Sequence, residues 1–293
     1  MQAAAHRPPA PPPRAWTPPT GTLGALCAAA RARADELALS AAALEDAARA
    51  AAPGPPFATA LRGAPGAPVA VIAELKRSSP SKGAINPGLG AARQALAYVD
   101  GGAAAVSVLT EPTRFAGSNA DVQDAVAALA GRAPVLRKDF LVDPVQLVEA
   151  RALGASAALL IARALAPGAL RDMAVFARGV GLEVLIEVRD RWELDAALAA
   201  DAAVIGVNNR DLETLRIDLA TGDALVPLIP GDRVAVFESG IVGVGDVARA
   251  ARAGADAVLV GSAVSAASEP TAAVAGLTGV PRAGRPAAAP TAA

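Results

Sequence analysis

Eight short apolar runs rich in branched residues recur along the chain, near 69–75, 104–109, 134–137, 156–161, 182–188, 203–207, 234–237 and 256–260. Ala-rich segments with helical periodicity separate them. A run that is apolar throughout, rather than at alternate positions, is a strand covered on both faces, which is how parallel strands are buried. Strand and helix alternating eight times predict an α/β fold of eight βα units, closed as a (β/α)8 TIM barrel rather than left as an open doubly wound sheet. Three helix-to-strand joints, DGGAAAVSVL, LGASAALLI and AGADAVLVG, repeat one device. Each puts a glycine (Gly102, Gly154, Gly254) where a left-handed residue ends a helix before a buried strand begins.

With 293 residues and 53% hydrophobic content the chain can bury one large core, and the barrel is assigned to residues 66–280. Ahead of it, residues 21–65 form an Ala-rich extension of one or two helices, stopped by Pro53-Gly54-Pro55-Pro56. The plain reading of that extension is a cover for an exposed barrel end, the other a direct part in substrate binding. Residues 1–20 and 281–293 are rich in proline and alanine and are expected to be disordered tails.

A net charge of −1, with no basic stripe, argues against nucleic acid as the partner and for a small molecule. The longest charge-free stretch, Ala15–Ala30, is short and broken by Pro18 and Pro19, so no membrane segment is expected. The first residues lack the apolar core of a secretory signal, and one cysteine, Cys27, allows no internal disulfide. A cytoplasmic location is the resulting expectation.

Function is written where the apolar runs end. Glu74 and Lys76 close the first, Lys138 the third, Glu187 the fifth, Asn208 and Arg210 the sixth, Glu238 and Ser239 the seventh, and Ser262 follows the eighth. In such a barrel the C-terminal strand ends build the active site. Ion pairs that merely close the barrel's end are the structural alternative. Apolar layers would do that at less desolvation cost, which weighs against it for charges on so many strand ends. Ser239-Gly240 and Gly261-Ser262 fall on the loops after strands seven and eight, where barrels of this kind bind phosphate. The GIVGVG string has the wrong spacing for a dinucleotide site. The only histidine, His6, lies in the Pro-rich tail, so lysines and carboxylates must carry the chemistry.

The strings AELKRSSPSKG, VLTEPTRFAGS, VLRKDFLVDP, LIEV, GVNNRDLETL, ESGI and LVGSAV resemble, in order and spacing, those of the indole-3-glycerol phosphate synthase family. The resemblance runs from about Ala70 to Val264. It implies a carboxy-lyase of tryptophan biosynthesis. That enzyme closes, decarboxylates and dehydrates 1-(2-carboxyphenylamino)-1-deoxyribulose 5-phosphate to indole-3-glycerol phosphate, and no cofactor or metal is expected. Matched residue by residue, it implies catalytic groups at Glu74, Lys76, Lys138, Glu187 and Asn208. Arg210 stands alongside, with phosphate contacts at Ser79, Ser239, Gly240, Gly261 and Ser262. Within that reading Lys138 is the general acid, Glu187 the general base and Lys76 the partner of the substrate carboxylate, with the acid role not divided between the two lysines. Glu74 and Asn208 orient them, and Glu238 joins the substrate contacts.

Ring closure also needs an apolar wall, for which Phe140, Phe115, Pro80 and Leu259 are candidates, Leu259 standing equally as barrel core. The leading segment departs from the family in lacking a long charged helix, and Arg114 and Ala116 stand at variable places of the second loop. A related isomerase barrel would carry a cysteine base near the end of strand one, where this chain has Glu74 and Lys76. A non-enzymatic barrel would have lost an acid or a base. A monomer or weak homodimer is expected.

Overall fold

The structure, a computed structural model, describes residues 15–64 and 66–285. All eight apolar runs are strands: β1 (Ala70–Leu75), β2 (Ala105–Leu109), β3 (Val135–Lys138), β4 (Ala157–Ile161), β5 (Glu183–Val188), β6 (Val204–Asn208), β7 (Val234–Glu238) and β8 (Ala257–Val260). Each pairs in parallel with its sequence neighbours, and β8 pairs with β1 to close the barrel. The α/β barrel expected from the alternation is therefore the fold.

Side chains one residue apart face opposite ways along a strand, and partners in register face the same way. Val204, Gly206 and Asn208 pair with Val234, Val236 and Glu238, so these six point together into the barrel. The same set continues through Glu187 on β5, Lys138 on β3 and Glu74 on β1. Below them Ile72, Ala105, Leu136, Leu159 and Leu185 are buried as apolar layers. A ring of polar groups thus sits on an apolar stack at the C-terminal strand ends.

Among the described residues three helices precede the barrel: α1 (Gly21–Ala38), α2 (Ala41–Ala50) and α3 (Phe57–Arg62). The last was not anticipated. It lies at the N-terminal strand ends, where the Glu183 carboxylate accepts the Phe57 and Ala58 N–H groups at 2.6 and 2.9 Å, and Phe57 and Leu61 are fully buried. Glu183→Ala leaves those two donors without their acceptor. A loss of about 1–3 kcal/mol is expected in urea unfolding with turnover preserved, and an unchanged midpoint would show that the contact carries no stability.

Both terminal segments make side-chain contacts where they are described. Trp16 donates its indole N–H to the Arg163 carbonyl at 3.3 Å, and Arg163 in turn donates to the Thr17 carbonyl at 2.8 Å. Arg285, almost fully buried, pairs with Asp256 at 2.7 Å and donates to the carbonyls of Ile229, Arg233 and Gly254. Within the two segments expected to be disordered, 1–20 and 281–293, one tryptophan and one arginine thus have partners far away in the chain. The remaining residues of both segments lie outside the described residues. Among the described residues no helix is long and apolar enough to cross a membrane.

Candidate active site

Lys138 is the centre of the mouth. It ends β3 pointing inward, and its Nζ lies 3.6 Å from Glu187 Oε2, 3.7 Å from Glu74 Oε2 and 3.9 Å from Glu238 Oε2. Burial alone would lower its pKa, but the charges of Glu187, Glu74 and Glu238 outweigh that and raise it. The ammonium form is thereby held in place.

Burial would push the Glu74 carboxyl up. The charges of Lys76 and then Lys138 more than offset this and hold it below the usual carboxylate range, with Oε1 in an ion pair with Lys76 Nζ. The backbone that presents this pair is fixed from behind. Ser265 donates its hydroxyl to the Glu74 carbonyl at 2.7 Å and accepts the Lys76 N–H at 3.1 Å, and the Tyr98 hydroxyl reaches the same carbonyl at 3.2 Å. Ser265 and Tyr98 escaped the sequence reading; a lone tyrosine in 293 residues, fully buried, was the available signal.

Glu238 is in the opposite state. Burial, then the charge of Glu187, push its carboxyl well up, with Lys138 only partly opposing them. Neither of its oxygens has a hydrogen-bond donor among the described residues. It sits where Gly206 makes room, since any Cβ at 206 would collide with its Oε1.

Glu74 gives a pH prediction. Its folded pKa is depressed, so the stability it contributes is fully present above its unfolded value of about 4.3 and is lost as pH falls through the folded one. Glu74→Gln should therefore lose less stability than the wild type between about pH 5 and about pH 3. Denaturation midpoints at the two pH values check this, and equal losses would contradict it.

A cavity of about 90 Å³ opens above this cluster, lined on its polar side by Glu74, Lys76, Lys138, Glu187, Asn208 and Arg210. Ser79, Ser239 and Ser262 line it as well. Asn208 Oδ1 accepts the Arg210 N–H at 2.9 Å, and the Arg210 guanidinium, its pKa lowered by burial, donates to the Leu215 carbonyl. Ser239 holds a left-handed backbone at φ 64°, which β-carbon sterics disfavour, and Gly240 follows at φ 85°.

The apolar wall is made by Phe115 and Phe140, ring centroids 6.3 Å apart, with Pro80 and Leu109. Helix α1 adds Thr22, Leu23 and Leu26, so the extension supplies part of the lining in addition to covering the mouth. Those three, with Leu212 and Leu215 of the loop after β6, were missed from sequence because nothing local distinguishes a cavity-facing leucine from a core one.

Four expected residues stand behind the lining instead of on it. Leu259 points into the barrel in register with Ile72, one layer below the cavity, and is core. Glu238 lies under Lys138, buried. Gly261 follows in the inward set, where a Cβ would collide with Glu74 Oε1 and Lys76 Nζ, so its role is space for that pair. Gly240 is packed under Leu219 and Ile217.

Fold and site together define a (β/α)8-barrel enzyme whose mouth is armed with lysines and carboxylates. Solved barrels at low identity agree on the fold: 3-hexulose-6-phosphate synthase from Salmonella typhimurium (TM-score 0.58, 15% identity, 71% of this chain and 96% of that one), and thiamine phosphate pyrophosphorylase from Pyrococcus furiosus (TM-score 0.56, 16% identity, 71% and 93%). The sequence profile of indole-3-glycerol phosphate synthase matches residues 25–277. Proteins of that name are 51% identical over 210 residues in a Nocardioides species (72% of this chain, 80% of the relative) and 49% over 231 in Mycobacterium leprae (79% and 84%). The one named indole-3-glycerol phosphate synthase 2 in Streptomyces coelicolor is 48% identical over 236 residues (80% and 90%). The chain belongs to the indole-3-glycerol phosphate synthase family, and is a lyase of tryptophan biosynthesis.

Proposed function

We propose that the protein converts 1-(2-carboxyphenylamino)-1-deoxyribulose 5-phosphate to indole-3-glycerol phosphate, carbon dioxide and water, with Lys138 as general acid and Glu187 as general base. The observation that carries this is a half-buried ammonium within 4 Å of three carboxylates, beside a two-phenylalanine wall. The barrel at 66–280 is the catalytic unit, and of the 21–65 extension helix α1 completes its mouth.

The ring carbon that bears the carboxylate attacks the ketone carbon, and Lys138 protonates the ketone oxygen as the bond forms. The carboxylate leaves as carbon dioxide and its bonding electrons restore the aromatic ring. Glu187 then takes a proton from the adjacent CH2 while an acid, Lys138 or Lys76, protonates the departing hydroxyl. Each such transfer is worth about 10²–10⁴ in rate. Lys76 neutralises the substrate carboxylate until it leaves, held by Glu74. Phe115, Phe140 and Pro80 stack the aromatic ring against the sugar chain, the positioning that turns ring closure into a near-attack geometry.

For the phosphate, Ser79, Ser239 and Ser262 supply hydroxyl donors on one side of the cavity. The loops at Gly240 and Gly261 add backbone N–H groups, and Arg210 adds charge. Glu238, favoured in its neutral form beneath Lys138, bears on the substrate only through that lysine.

The test is carbon balance. Substrate labelled at the carboxyl carbon should release its label as carbon dioxide one for one with indole product. Label retained in the product would overturn the reading.

A further inference from the structure

A second cavity, about 210 Å³, lies behind Glu187 and joins the first through Glu187, Asn208 and Arg210. Its walls carry Arg163, Arg189, Asp190, Glu193, Asp211 and Glu213. That volume with so many polar groups has room and partners for several water molecules. Arg189 contributes a buried Nε without a hydrogen-bond partner among the described residues, although its Nη1 pairs with Asp211 at 3.0 Å. Arg163, held by Thr17 and by Glu213 at 3.2 Å, also lines it.

Glu193 belongs to the first turn of the helix Arg191–Ala199 and is only 5% exposed. Its Oε2 accepts the Arg189 N–H at 2.7 Å, and its own N–H donates to Asp190 at 2.8 Å.

The reaction proposed above has a proton balance, and this inference rests on that reading. The ketone oxygen takes one proton and the departing hydroxyl a second, while the CH2 carbon returns one. Loss of a carboxylate as neutral carbon dioxide therefore draws one proton per turnover from solvent into a site covered by α1.

We propose that the second cavity is the proton inlet of the site, and that Glu193 passes protons from solvent through cavity water to Glu187. Lys138, 3.6 Å from Glu187, is then recharged after each turnover. Glu193 touches no reacting atom and acts through Glu187 as a positioning residue for protons. Its own environment suits the task. Burial, then the charge of Asp190, push its carboxyl up to about 7, Glu187 adding to the rise and the Arg189 N–H and Arg163 opposing it. Arg210, Asp211 and Glu213 complete the charged walls. The helix Pro167–Gly179, packed on the helix Arg191–Ala199, leaves Arg171 and Asp172 exposed and spends Arg178 on the Ala200 carbonyl.

The variant Glu193→Gln tests this, because its amide oxygen still accepts the Arg189 N–H and the helix start is kept. Expected are a kcat lowered on the order of tenfold with KM unchanged, a larger solvent deuterium isotope effect, and recovery of rate with rising imidazole buffer. A kcat equal to that of the wild type, or a loss that neither buffer nor deuterium changes, would make Glu193 a helix cap only and overturn the inference. If the wild type itself forms no indole product, the reaction reading falls and the inlet with it; a normal wild type beside an indifferent variant overturns the inlet alone.

Discussion

Lys138→Met is expected to lower kcat by about 10²–10⁴-fold while the protein stays folded and continues to bind phosphate. The side chain stays unbranched and close in size but loses the ammonium that faces Glu187, Glu74 and Glu238 together. Removing one member of a buried charged group costs about 3–5 kcal/mol when the others stay charged. Here much of that is relieved by proton uptake, since Glu238 is already pushed toward its neutral form by burial and by Glu187. The variant should therefore melt lower than the wild type but cooperatively. Single-turnover rates beside thermal unfolding separate the two effects, and a rate within about tenfold of wild type would remove Lys138 from the acid role.

Glu187→Gln should be as damaging to turnover, about 10²–10⁴-fold, for the complementary reason. The amide keeps the shape of the carboxylate but cannot accept the CH2 proton. Binding should be little changed, because the apolar wall and the phosphate side of the cavity do not involve this residue. Carbon dioxide release is followed separately from indole formation: release that persists while indole formation stops is the signature of a base needed only after ring closure. Glu238→Gln supplies the control. A dead Glu238 variant beside an active Glu187 variant would exchange their roles.

The eight strands were legible because a strand buried on both faces must be apolar along its whole length, and each charge at its C-terminal end then stands out. That same contrast picked Glu74, Lys138, Glu187 and Asn208, all of which converge on one cavity. The limit of the method is a residue whose meaning depends on distant partners. Leu259 and Gly261 sit two apart on the same inward face, and only the register with Ile72, Glu74 and Lys76 tells that one is core and the other a space. Leu23 and Leu26 of α1 read as a helix stripe until α1 is laid over the mouth. Trp16 and Arg285 lie in segments whose composition pointed to disorder, yet each finds partners far away in the chain. Glu183 could have been noticed as a charge at the start of a strand, opposite to the pattern followed, and it marks the closed end of the barrel.

The central claim, that this barrel closes and decarboxylates its substrate with its own lysines and carboxylates, is tested most directly by indole fluorescence. Purified protein is given the carboxyphenylamino-deoxyribulose phosphate with a chelator present and no nucleotide. Indole-3-glycerol phosphate forming at a rate that saturates with substrate is the predicted result. Folded protein that binds the substrate and yields no product would contradict it.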